Sequence, residues 1–225
     1  MKKEKLKIVY EDKYIIVVDK MAGMLTVSTD KEKEKTLFHE LLTFQKQKNK
    51  NNKIFIVHRL DKDTSGLVLF AKNEKVKRIL QNSWNEVKRS YIALVNGRIQ
   101  QKKGSIKSYL CETKSLMVYS TKNPKIGKFA QTNFKVIDQN SEYSLLEIDI
   151  KTGRKNQIRV HLNDFGYPIV GDRKYGYIKK DTLKRLCLHA QKLELTHPIT
   201  NKKISIETDV PKGFIQLGTK KVSNK

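Results

Sequence analysis

The chain has 225 residues, 38% hydrophobic and 31% charged, which is enough apolar material for a packed core and argues against global disorder. Lysine and arginine number 47 against 23 acidic residues, giving a formal net charge of +24. Such a charge repels itself in the compact state unless a polyanion offsets it, and nucleic acid fits because each neutralised phosphate releases counterions.

In chain order, Tyr14 to Asp19 is short and β-branched, as a buried strand is, and Gly23 marks a turn. Thr36 is placed to cap a helix whose stripe is Leu37, Phe38, Leu41, Leu42 and Gln45. The run Gln45 to Lys53 has almost no apolar content and reads as an exposed loop. Ile54 to Leu60 and Gly66 to Ala71 read as strands flanking a polar turn. Asn73 caps a helix expected to continue through Lys88, with Val76, Ile79, Leu80, Ser83, Trp84 and Val87 on one face. Ser90 to Val95 returns to strand, and Gly104 to Ile137 reads as hairpin-rich.

Tyr143 to Ile150 alternates, with Leu146, Ile148 and Ile150 on one face. A helix from Asn156 to Phe165 is closed by Gly166. Leu193 to Leu195 and Ile204 to Glu207 form a terminal hairpin, and the basic tail, about 218–225, reads as loose. Neither an internal repeat nor a long linker divides the chain. The expectation is one α+β domain over 1–225, a largely antiparallel mixed sheet with flanking helices and loops.

Cys111 and Cys187 stand apart, without zinc spacing, and suit reduced thiols. The charged start, Met1 to Lys7, lacks a signal-peptide apolar region, and no apolar run approaches bilayer length. A soluble, cytoplasmic, monomeric protein with no metal, no cofactor and no membrane or obligate protein partner is expected.

Two segments concentrate reactive groups. In His58-Arg59-Leu60-Asp61-Lys62-Asp63-Thr64-Ser65-Gly66 an apolar strand runs into five ionisable side chains, a hydroxyl pair and a glycine. Polar groups at the end of a buried strand are held rigidly, as a site requires, although Asp63, Ser65 and Gly66 are also ordinary turn formers. In Thr152-Gly153-Arg154-Lys155-Asn156-Gln157-Ile158-Arg159-Val160-His161 a glycine turn feeds a helix whose first amides suit an anion, and whose bland reading is a basic helix cap.

The stretch HRLDKDTSGLVLFAK from His58 closely resembles the signature of the RluA-type pseudouridine synthases. TGRKNQIRVHL from Thr152, with Gly166 to Asp172, resembles that family's later motif. VYEDKYIIVVDKMAG from Val9, RSYIALVNG from Arg89, and Leu188-His189-Ala190 with His197-Pro198 resemble three further motifs, all in the family's order.

The resemblance implies a pseudouridine-synthase-like fold and isomerisation of uridine in structured RNA. It makes Asp61 the catalytic carboxylate, Tyr91 the active-site tyrosine that packs on uracil, and Arg159 the cation paired with the aspartate. Ile158 becomes an aliphatic wall of the site, and Arg59 fills the gap in the RNA stack left by the flipped base. His58, Thr64 and Arg154, in the same two motifs, are expected to contact the substrate. His161, His189 and His197 read as structural.

Met21 stands where the family commonly has proline, which should loosen that turn. Lys155-Asn156 replaces a small residue and histidine, which should alter substrate contacts near the helix start. The first motif begins within ten residues of Met1, so no N-terminal RNA-binding domain is expected and a compact tRNA or rRNA stem-loop suits the chain. The rival reading is a non-catalytic RNA-binding or ribosome-assembly protein, which would have no need for Asp61, Tyr91 and Arg159 together. A third reading, a ribonuclease, finds no paired-histidine constellation in this sequence to support it.

Overall fold

The computed structural model describes residues 6–30, 32–177 and 183–219. They form two compact units, residues 1–88 with 190–208, and residues 89–189 with 209–225.

In the first unit, β1 (Lys7–Glu11) pairs antiparallel with β2 (Ile15–Lys20), and β2 with β4 (Ser65–Ala71). The two-residue β3 (Phe55–Ile56) pairs with the end of β4, and β11 (Lys203–Glu207) pairs with β10 (Leu188–Thr196). Every residue of β4 is buried, so the strand reads as a continuous apolar run rather than an alternation. The core gathers Ile15, Val17, Leu67, Leu69, Val76 and Leu193. Gly66 is obligatory: its φ is +111°, and a Cβ there would lie 2.2 Å from the Ala190 carbonyl oxygen.

Two helices cover this unit. Helix α1 (Leu37–Lys48) starts where the Thr36 hydroxyl accepts the His39 amide, and α2 (Glu74–Asn82) where the Asn73 side chain accepts that of Val76. Both caps are as expected, but the lengths differ. Helix α1 runs past Gln45 to Lys48, because Gln45 is buried and bonded to Glu11 rather than lying in a loop. Helix α2 stops at Asn82, since Ser83 to Val87 turn the chain into the next strand.

In the second unit the order is β5 (Lys88–Asn96), β9 (Tyr143–Ile150), β8 (Lys128–Gln139), β6 (Lys103–Glu112) and β7 (Val118–Thr121). These ladders are antiparallel. Helix α3 (Gln157–Asp164) packs Val160 against Leu110, Val118 and Ala130, and Gly166 at φ +87° ends it. A fourth helix, α4 (Lys212–Thr219), packs on β9 and β8; it takes in Gly218 and Thr219, where the loose tail was expected to begin, and residues 220–225 of that tail lie outside the described residues. Phe214 in its first turn is fully buried, which offsets the two glycines in the helix. The fold is α+β with largely antiparallel pairing. Among the described residues no helix is long and apolar enough to cross a membrane.

Candidate active site

Asp61 lies in the first unit on an irregular loop, residues 57–64, between β3 and β4. The expected strand from Ile54 to Leu60 is only Phe55–Ile56, because Leu60 bonds to a side chain instead of a neighbouring strand. Its amide donates to the Thr26 hydroxyl at 3.2 Å, and that hydroxyl donates back to the Leu60 carbonyl at 2.8 Å. The Thr64 amide donates to the Asp61 carbonyl at 3.2 Å, closing a turn.

The buried Lys20 ammonium anchors the next residue. It donates to the carbonyls of Met21 at 2.9 Å, Met24 at 2.8 Å and Lys62 at 2.9 Å, and Lys62 also receives the Gly23 amide at 2.9 Å. A lysine 1% exposed is costly unless its donors are used, and three carbonyls use them. The same ammonium braces the turn where Met21 replaces proline.

Burial along the loop sorts its side chains. Val57, Leu60 and Thr64 are buried, Asp61 is half-buried and Arg59 is exposed. His58 is engaged in the scaffold: its Nε2 accepts the Leu69 amide at 2.9 Å and its ring stacks on Trp84 with centroids 4.4 Å apart. An accepting Nε2 leaves the proton of a neutral ring on Nδ1.

The second unit carries Tyr91, Arg154, Ile158 and Arg159. Tyr91 sits on β5 opposite Ile148, 9% exposed. Ile158 is buried in the first turn of α3. Arg159, one residue on, is buried and held on three sides. Its Nε and Nη2 grip the Asp172 carboxylate at 2.8 and 2.7 Å, its Nη1 donates to Asn156 Oδ1 at 3.2 Å, and its guanidinium lies 5.1 Å from the Tyr175 ring centre. Burial pushes the Asp172 carboxyl up, but Arg159 and the amides of Lys174 and Tyr175 outweigh it and hold the group below its ordinary value.

The turn ahead of α3 is pinned by Gln157. Its Oε1 accepts from the Thr152 hydroxyl at 2.7 Å and the Arg154 amide at 3.1 Å, while its Nε2 donates to Gln131 and Thr132, both at 3.0 Å. Gly153 gives room to buried Arg89, whose Nη1 would lie 2.9 Å from a Cβ there. Asn156 takes the left-handed conformation at φ +53°, which asparagine tolerates, and bonds to Tyr175 and Arg159. Lys155 pairs with Glu112. The two departures from the family pattern therefore have partners inside the protein. Arg154 is exposed, with Nε on the Phe129 carbonyl at 3.1 Å.

A family model described as RNA pseudouridylate synthase matches residues 14–164, a span that takes in the Asp61 loop, Tyr91 and the Arg159 helix. The chain belongs to this family. An RNA pseudouridine synthase, it is 36% identical over 210 residues to the uncharacterized RNA pseudouridine synthase YhcT of Bacillus subtilis, covering 92% of this chain and 69% of that one. It is 35% identical to ribosomal large subunit pseudouridine synthase D of Nitrosomonas europaea, over 94% of this chain and 64% of the relative. To tRNA pseudouridine synthase C of Haemophilus ducreyi it is 34% identical, with 89% of each covered. Among solved structures, human RNA pseudouridylate synthase domain containing 1 superposes with a TM-score of 0.73 at 25% identity, covering 92% of this chain and 84% of that one. As a member of this family the enzyme is an isomerase.

In this synthase several supporting residues carried no assigned role in the sequence. Lys20 and Thr26 anchor the Asp61 loop from 42 and 34 residues away. Asp172 was visible only as the end of a motif; a carboxylate closing an apolar run in so basic a chain was the available signal. Of the histidines, His161 is fully buried between Ser108 and Thr132, and burial lowers its pKa to about 4. His197 accepts the amides of Ile199 and Thr200 and faces Asp12. Among the described residues no cluster of His, Cys, Asp and Glu is arranged to bind a metal.

Proposed function

We propose that this pseudouridine synthase uses Asp61 as its catalytic carboxylate on a uridine flipped out of a compact RNA fold, such as a tRNA or rRNA stem-loop. The observation that carries the reading is the Asp61 loop itself. It has a half-buried carboxylate between two buried anchors, Leu60 and Thr64, with its backbone tied down at Leu60 and Lys62. Rigid placement of a charged group is what stabilisation of developing charge requires.

In this reading Asp61, ionised, acts at the anomeric carbon as positive charge develops there. The bond from that carbon to nitrogen 1 of uracil breaks. The ring reorients and carbon 5 bonds to the sugar; carbon 5 then loses its proton and nitrogen 1 gains one. Product and substrate are isomers, so the chemistry calls for no outside oxidant, reductant or nucleophile. Tyr91 supplies the ring against uracil and, in a route through a glycal, the base for the sugar proton. Ile158 is an apolar wall, and Arg159 supplies the positive charge that favours an ionised carboxylate. Arg59, exposed on the loop, enters the RNA stack, since a guanidinium plane replaces a lost base. Thr64 and His58 act through the loop they shape, and Arg154 serves the RNA backbone. The protein works in the cytoplasm as a monomer.

The test is Asp61→Asn assayed by tritium release from RNA labelled at carbon 5 of uracil. Turnover should vanish while RNA affinity persists through phosphate contacts. Turnover at the wild-type rate would refute the assignment, and a wild type that binds RNA without releasing tritium would favour the non-catalytic reading.

A further inference from the structure

Strands β6, β7 and β8 have one face on α3 and one face open. Leu110, Val118 and Ala130 are buried toward Val160. The register sets Tyr109 beside both Phe129 and Thr121, and Cys111 beside Tyr119. Alternation therefore gathers Tyr109, Tyr119 and Phe129 on the open face. Tyr119 is 45% and Phe129 42% exposed, and Tyr109 meets Phe129 edge to face with centroids 5.8 Å apart. Folding gains little from large rings left in water, so their place here calls for a partner.

Charge selects that partner. The open-face positions of 105–111, 119–121 and 129–133 hold no Asp or Glu. Lys107 is exposed on the same face, and Arg154 is tied to the Phe129 carbonyl. A second copy of so basic a chain would bring like charge against like. Unpaired RNA bases bring π faces for the rings and phosphates for the cations.

We propose that the open face of β6, β7 and β8 is a stacking platform for unpaired bases of the RNA substrate. The partner rests on the RNA-modifying reading above, while the platform stands on its own geometry. Arg154, in the turn that starts α3, donates to the Phe129 carbonyl near the start of β8.

The probe is a fluorescein-labelled oligouridylate of about 10 nucleotides, followed by anisotropy, beside an abasic ribose-phosphate strand of equal length. The proteins are the full chain and its Tyr119→Leu and Phe129→Leu variants; leucine keeps apolar bulk and removes the π face. Each variant should weaken oligouridylate binding about fivefold or more and leave abasic binding unchanged. Thermal melts and Tyr119→Phe, which restores the π face and should restore binding, exclude misfolding as the cause. Equal affinities in all proteins, or equal losses on the abasic strand, would overturn the platform. So would a wild-type dimer that the leucine variants convert to monomer, since the face would then be a self-contact. Tritium release is scored separately. Ring-dependent binding without release sinks only the catalytic reading, and release without ring-dependent binding sinks only the platform.

Discussion

Arg159 and Asp172 form a buried two-point ion pair, with contacts of 2.8 and 2.7 Å and side chains 7% and 1% exposed. The pair fixes the plane of the guanidinium and hence the direction of its remaining Nη1 edge. Removing the carboxylate leaves a buried cation without this two-point counter-charge, a change that costs about 3–5 kcal/mol in such sites. Asp172→Ala should lower the urea midpoint accordingly, and a midpoint at the wild-type value would show the pair to be dispensable. The acid behaviour has a definite sign. The folded carboxyl titrates below its ordinary 3.8, so its contribution is fully present above that value and is lost as pH falls through the lower folded pKa. The gap in stability between wild type and Asp172→Asn should therefore close only below about pH 4.

His161 sets a second, higher window. Burial drops its pKa from 6.5 to about 4, so between those values the unfolded chain takes up a proton that the folded chain refuses. Wild-type stability should fall as pH drops from 6.5 towards 4, by at most about 1.4 kcal/mol per pH unit from this group. Above 6.5 both states are neutral and the contribution is flat. His161→Gln should remove that slope in urea melts at pH 7 and pH 5; an unchanged slope would assign it elsewhere.

Lys20 holds three carbonyls, those of Met21 and Met24 in the turn after β2 and that of Lys62 on the Asp61 loop. Lys20→Met keeps the stem and deletes the donors. Hydrogen bonds to a charged group are each worth about 1.5–3 kcal/mol and do not add simply, so a total loss of about 2–4 kcal/mol is expected. The loop should loosen without losing RNA contacts, so single-turnover rates should drop by about tenfold or more with little change in RNA affinity. A folded variant with wild-type rates would remove Lys20 from any positioning role.

Arg59 offers a way to tell base flipping from phosphate binding. It is exposed between buried Val57 and Leu60 on an anchored loop. If it fills the vacated stack, Arg59→Ala should slow turnover far more on a stable hairpin than on one whose uridine is already unstacked. The difference reflects a flipping cost of about a few kcal/mol. Equal losses on the two hairpins, with a salt slope reduced by about one counterion, would make it a phosphate contact.

Local chemistry was legible in the amino-acid sequence. Thr36 and Asn73 cap their helices because a short polar side chain before an apolar stripe has one nearby use, and Gly166 stops α3 because only glycine adopts its φ of +87° without strain. The motif around Asp61 and the one around Arg159 were legible for the same reason: both are contiguous. Element ends were less legible. Ile54 to Leu60 is apolar enough for a strand, yet only Phe55–Ile56 pairs, because the Thr26 hydroxyl takes the Leu60 backbone. Which polar groups meet was decided by packing alone. Lys20 could have been a surface lysine and Asp172 a turn residue until folding brought them to Lys62 and Arg159. Tyr119 and Phe129 show the limit most clearly. An aromatic in an alternating strand suits either face equally, and only the docking of α3 on Leu110, Val118 and Ala130 left those two rings in water.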